Sequence, residues 1–458
     1  MKDMTTGSPF KLLVYFSLPL LAGNIFQQSY AMADTIIVGR TLGETALAAL
    51  GATMPICFML IGALIGLTNG FAVVTGQRFG MKDIDGVRRS VVSGTLISII
   101  ITVVGTAICV LLAGVILKAM NTPPEILKDA VTYLRVIFWG LGTIVLYNLI
   151  SATLRAFGDS KTPFIFLIVC SVLNIVLDLV FIKTFGWGIG GAAWATALSQ
   201  AVAGVGCTIY GVIRYPILRI PRRYWFFAWN DILYHLSIGV PMAVQFVVIA
   251  IGSIIIQMSL NKLGGVTMAA YTVVARVDQL AIQPFLSIAI ALSAFVAQNY
   301  GAKDIPRINQ GMRCCVKLVL WISVTGGILM IAFNRPLIHM FLRADSTTEE
   351  LLHQAGTFIF ANAMFYPMLA LLFVFRHTLQ GMGRVTAPLV VCAAEVVVRI
   401  LVAWGLIDRF GYIGVCFANI LPWCVAATML FCMLVPVMRK ELREYRLRTQ
   451  YFESESTS

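Results

Sequence analysis

The sequence predicts an all-α polytopic membrane protein, with twelve transmembrane helices in two six-helix lobes related by a pseudo-two-fold axis along the membrane normal. Three observations carry that expectation: an extreme apolar composition, membrane-length apolar runs along the whole chain, and an internal repeat. Hydrophobic residues make up 59% of the 458 residues and charged residues only 12%, against about a quarter in soluble domains. Mean hydropathy is +0.88. An outer-membrane barrel would instead show alternating segments of about 10 residues.

A bilayer-spanning helix needs about 20 predominantly apolar residues. Reading apolar runs between charged or Pro/Gly breaks gives spans at 10–38, 46–77, 90–117, 126–154, 161–184, 189–213, 232–261, 267–298, 312–334, 350–379, 386–407 and 411–437. The polar stretch 214–231, "RYPILRIPRRYWFFAWND", divides them into an amino-terminal lobe (1–213) and a carboxy-terminal lobe (232–437), and 438–458 reads as a tail. The first apolar run is too long for a signal peptide and lacks a cleavage pattern, so the first span is expected to direct insertion.

Basic residues sort by side. Arg78, Lys82, Arg88, Arg89, Arg155, Lys161, the linker arginines, Lys303, Arg307, Arg376, Arg384 and the tail "RKELREYRLR" fall on the side of the amino terminus. By the positive-inside rule that side is cytoplasmic, so both termini are expected in the cytoplasm of a cell-membrane protein. The formal charge of +13 thus reads as a topology signal, and nucleic acid is not expected as a partner. Most cysteines lie within apolar runs and behave as small hydrophobes. Neither C-x-x-C spacing nor a His/Cys cluster appears, so no metal site or cofactor is expected from these residues.

The halves resemble each other. "GQRFGMKD" (76–83) matches "AQNYGAKD" (297–304), "LRAFGDSKTP" (154–163) matches "LQGMGRVTAP" (379–388), and "GAAWA" (191–195) echoes "GVCFA" (414–418). The offsets are 221, 225 and 223 residues. Both halves start on one side, which makes this a parallel repeat of the kind transporters use to rock two lobes about a central site.

Charged side chains inside such spans are expensive and mark interiors or water-filled cavities. In the first half these are Asp34 in span one and Asp178 in span five, the latter four residues after Asn174 and on the same helix face. Thr196 in span six and Tyr133 in span four are weaker signals, since threonines often bond their own backbone. Each has a plainer alternative: Asp34 as an interfacial residue neutralised by Arg40, and Asn174–Asp178 as a packing hydrogen bond. Removal from water favours the protonated form of a carboxylic acid, a property suited to ion coupling. The second half carries Gln245 in span seven, Glu395 and Arg399 at i,i+4 spacing in span eleven, and Arg276 near Asp278 in span eight. The i,i+4 spacing predicts an internal Glu395–Arg399 pair.

"SLPLLAGNIFQQSYAMADTIIVGRTLG", "LRAFGDSKTP", "NIVLDLVFI", "GAAWATALS" and "AYTVVARVDQLAIQP" followed by "AQNYGA" resemble the multidrug and toxic compound extrusion (MATE) family over nearly the whole chain. The resemblance, to the prokaryotic DinF-like subgroup, implies a MATE-like fold and a secondary antiporter working by alternating access. Its export of lipophilic or cationic small molecules would be exchanged for H+ or Na+. It further implies that Asp34 and Asp178, with Asn174 and Thr196, form an ion-coupling or Na+ site, with Tyr133, Ser151, Gln27 and Asn148 near the substrate cavity. Ser151 stands where relatives carry asparagine.

Four other classes find less support in the residues. A membrane enzyme would need H-E-x-x-H, a nucleophile with its base, or paired catalytic aspartates in a motif; the four histidines (His235, His339, His353, His377) are scattered. Without a P-loop, ATP-driven transport would need a separate motor subunit. A flippase for a lipid-linked or polyanionic substrate would need basic residues clustered in its cavity, and the mid-span ones are chiefly Arg276 and Arg399. A channel is disfavoured by two unequal lobes. Membrane lipids are the other expected contact, and a monomer is expected.

Overall fold

The computed structural model describes residues 3–340 and 348–456, without the side chains of residues 408 and 451–456. Hydrocarbon offers the backbone no hydrogen-bond partners, so each membrane segment satisfies its own as helix. The helices are α1 (Pro9–Leu42), α2 (Glu44–Gly80), α3 (Ile84–Ala119), α4 (Pro124–Trp139), α5 (Leu141–Ala156), α6 (Lys161–Leu179), α7 (Gly188–Arg214) and α8 (Trp229–Leu260). There follow α9 (Gly265–Ala281), α10 (Gln283–Gly301), α11 (Ile305–Ala332), α12 (Asn334–His339), α13 (Glu349–Gly381), α14 (Thr386–Val402), the single turn α15 (Asp408–Phe410) and α16 (Tyr412–Ser456). No strand occurs among the described residues.

Among the described residues eleven segments are long and apolar enough to cross a bilayer, and α4 with α5, bent by 46°, makes up to twelve. The bend falls at Gly140. Large apolar side chains such as Val103, Leu111 and Val115 on α3 point outward, the arrangement a hydrocarbon solvent favours.

The chain divides into two compact units. The first contains Leu18–Val247; the second joins Met4–Ser17 to the chain from Val248 onward. In the first, the 214–231 stretch is packed down rather than free. It forms two short 3-10 turns (Pro216–Leu218 and Arg222–Tyr224), and Tyr215 and Leu218 join a core with Val87, Leu154 and Phe157. Tyr215 donates to Asp159 and Tyr224 to Asp85, each at 2.5 Å. Close approach is built in where α2 meets α8: a Cβ on Gly70 would lie 2.5 Å from the Cα of Gly239. In the second unit α16 continues as one helix beyond the expected end of span twelve. Glu441 on that extension accepts from Arg384 at 2.8 Å and Tyr300 at 3.3 Å.

The sequence repeat is also a repeat of backbone detail. α2 and α10 both end with a lysine in the left-handed region, Lys82 at φ 60° and Lys303 at φ 59°. That conformation is uncommon outside glycine, and here it closes the helix ends. Each lysine precedes an aspartate that caps the next helix: Asp83 accepts from the Gly86 amide at 2.8 Å, and Asp304 from Arg307 at 3.1 Å. Gly158 and Gly383 both sit at φ 79°. π-helical turns, Val180–Thr184 and Ala403–Ile407, follow α6 and α14.

Candidate functional site

In the first unit α1, α4, α6 and α7 bring the polar residues of the apolar spans together. Asp178 is fully buried on the last turn of α6, just before the π-helical turn, an irregularity frequent at functional sites. Its carboxyl group lies within hydrogen-bonding reach of that of Asp34 on α1. Among the described residues neither Asp178 oxygen has a donor partner, and the same holds for Oδ1 of Asp34 and of Asn174. Asn174, one turn back on α6, is 1% exposed and donates through Nδ2 to Thr196 Oγ1 at 3.4 Å. Thr196 donates its own hydrogen to the Ala192 carbonyl at 3.1 Å. The buried Tyr133 ring of α4 is close enough to feel both carboxylates.

Two facing carboxylates cannot hydrogen-bond while both are ionised; a proton or cation must sit between them. Among the described residues no ion pair involves Asp34, Asp178 or Arg40. Asp34 and Asp178 thus approach each other with oxygens that lack donors among the described residues, which fits a proton or a hard cation that takes oxygen ligands.

Tyr30 and Gln200 belong to this cluster and were not singled out from the sequence. Tyr30 lies near Asp34, with Gln27 and Gln200 close to its hydroxyl. The signal was available: Tyr30 is one turn before Asp34, and Gln200 one turn after Thr196. Gln27, three residues before Tyr30 on α1, lies near it. Asn148 and Ser151 lie on α5, and no hydrogen bond joins either to this cluster among the described residues. Asn148 donates to the Ile144 carbonyl at 2.9 Å, and Ser151 is buried beside Tyr147, whose hydroxyl donates to Pro163 O at 2.9 Å.

The second unit handles its charges differently. Glu395 pairs with Arg376 of α13 rather than with Arg399. The i,i+4 spacing permits the local pair, but the guanidinium of a neighbouring helix reaches the carboxylate instead. Arg376, assigned from sequence to the loop side, is 6% exposed within α13. That helix runs on to Gly381, so the arginine lies more than a turn inside its end. Asp278 has no ion pair with Arg276. It accepts from Asn362 at 2.5 Å and from the Tyr366 hydroxyl. Gln245 of α8 is buried.

Among the described residues, helices without strands, up to twelve membrane-length segments, a duplicated backbone and acids with no ion pair define a membrane transporter of two repeated halves. The MatE family model matches twice, over residues 19–180 and 241–404, and the chain belongs to the MATE family of multidrug efflux transporters. It is 28% identical over 392 residues to the probable multidrug resistance protein YpnP of Bacillus subtilis, covering 85% of this chain and 86% of the relative. To YoeA of the same organism, also a probable multidrug resistance protein, it is 29% identical over 416 residues, 87% and 85% of the two chains. A solved structure described as an outward-facing multidrug resistance MATE transporter superposes with a TM-score of 0.89 at 24% identity, over 96% of this chain and 98% of the other.

Proposed function

We propose that the protein is a secondary antiporter of the cytoplasmic membrane, both termini inside, exporting lipophilic organic cations or drugs in exchange for H+ or Na+. The observation that carries this reading is the Asp34–Asp178 pair, two carboxyl groups in mutual reach with no basic partner. With a proton or Na+ bound the cluster loses charge and tolerates closure against apolar neighbours. With the ion released the carboxylates need water or a cationic substrate, which favours the open, loading state. The exchange follows from one site serving two cations in turn. Asn174 and Thr196 position the α6 carboxylate and offer further oxygens to Na+. Tyr133 and Tyr30 lie near the acid pair and supply polar phenol groups to its surroundings. Coupling of this kind needs only a few kcal/mol of differential affinity between the two states.

The test is efflux of ethidium from everted vesicles, driven separately by an imposed pH gradient and an imposed Na+ gradient. One gradient is expected to drive efflux, and Asp178→Asn, which keeps size and removes the titratable charge, is expected to stop it. Efflux by neither gradient across a broad cation panel, at verified expression, would overturn the proposal.

A further inference from the structure

We propose that the second unit holds a separate binding site for small aromatic carboxylates, centred on Arg399. A cavity of about 540 Å³ lies within this unit, between α8, α9, α13, α14 and α16. Its volume falls in the range that takes a drug-sized ligand, roughly 300–1,000 Å³. Three arginines line it, Arg276, Arg376 and Arg399, against two carboxylates, Asp278 and Glu395.

The pairing decides the sign. Glu395 is taken by Arg376, and Asp278 is held by two neutral donors, Asn362 and Tyr366. Arg399 is left over. It is 8% exposed, Nε has no partner, and no ion pair among the described residues includes it or Arg276. A buried guanidinium without an anion is costly, and such a charge inside a membrane protein marks a ligand or ion path by default. The backbone is shaped to admit it: a Cβ on Gly252 of α8 would lie 2.6 Å from the Arg399 Nη1 and 3.1 Å from its Cδ. Glycine at that position keeps the guanidinium facing the cavity.

A planar guanidinium matches a carboxylate through two parallel hydrogen bonds. Arg276 on α9 adds a second, more exposed positive charge at the same cavity. The remaining wall is aromatic and aliphatic, with Tyr271, Phe373, Trp423 and Leu372, so the fitting ligand is one anionic group on a flat apolar body. This site is independent of the Asp34–Asp178 reading, since it uses other residues and the opposite charge.

The experiment is isothermal titration calorimetry on the full chain in phosphatidylcholine nanodiscs, with 2-naphthoate, 2-naphthamide and 2-naphthylmethylamine as probes of equal shape. Naphthoate is expected to bind about tenfold or more tightly than the amide, the worth of one charge-assisted hydrogen-bond pair, and the amine most weakly. Arg399→Gln is expected to abolish the preference for naphthoate over the amide. Arg276→Gln, at an exposed position where folding is not at stake, is expected to weaken naphthoate binding by a smaller factor. Equal binding of the three probes, a preference for the amine, or unchanged naphthoate affinity in both variants would overturn the proposal. So would loss of naphthoate binding when phosphatidylglycerol replaces half the neutral lipid, which would assign the cavity to a lipid headgroup.

Discussion

The two units share a backbone plan and fill it with opposite chemistry. Capping aspartates Asp83 and Asp304, left-handed Lys82 and Lys303, and a π-helical turn after α6 and α14 recur at matched positions. The buried charges do not recur. Among the described residues, the first unit holds two neighbouring carboxyl groups with no basic partner, whereas the second pairs Glu395 with Arg376, gives Asp278 two donors and leaves a buried arginine over. Local backbone devices are fixed by turn chemistry and survive duplication, while buried charge can be exchanged position by position. A duplicated fold can therefore divide ion coupling and ligand recognition between its halves.

The largest expected effects separate the two acid environments. Asp178→Asn should abolish gradient-driven efflux, while the chain still inserts and elutes as a single species. Efflux at the parental rate would reduce the Asn174–Asp178 face to a packing contact. Glu395→Ala should act on stability instead, because it strands a buried guanidinium, a loss of about 3–5 kcal/mol for a broken buried pair. Thermal unfolding in detergent reads that loss, and Arg376→Met combined with Glu395→Met should recover most of it. If Glu395→Ala stops efflux at unchanged stability, the division between the units fails.

Smaller effects sharpen the comparison. Asn174→Ala should slow efflux by a few-fold without abolishing it, since its hydrogen bond to Thr196 is long and such interhelical bonds average about 0.6 kcal/mol. Asp83→Ala and Asp304→Ala remove equivalent caps and should each cost about 1 kcal/mol. Matched losses in unfolding experiments would support functional equivalence of the two corners, and a loss at one alone would show that only one still bears load.

The helical architecture was legible because apolar runs and their breaks directly encode membrane-length helices. The individual acids were legible because a carboxylate stands out in an apolar run. Their partners were harder to read, since partners come from other helices whose rotation the runs do not specify. Spacing predicted Glu395 with Arg399, but Arg376 of α13 lies closer in space. Arg376 was sorted with the basic residues of the loop side although it falls inside the span 350–379, because charge alone does not show that it is buried within α13. Tyr30 and Gln200 were recoverable by stepping one helical turn from Asp34 and Thr196. Asn362 and Tyr366, four apart on α13, show the spacing of Asn174 and Asp178 but carry no charge to draw notice.

In the proposed antiport Asp34 and Asp178 act as one ion site. Its most direct measurement is ion release on substrate binding, H+ by a pH dye and Na+ by a selective electrode, from purified protein before and after Asp34→Asn. The parent protein is expected to release one of the two ions when ethidium binds, and Asp34→Asn to release neither while ethidium-driven turnover in liposomes stops. Ion release and turnover equal to the parent's would contradict the account and leave Asp34 an interfacial residue near Arg40.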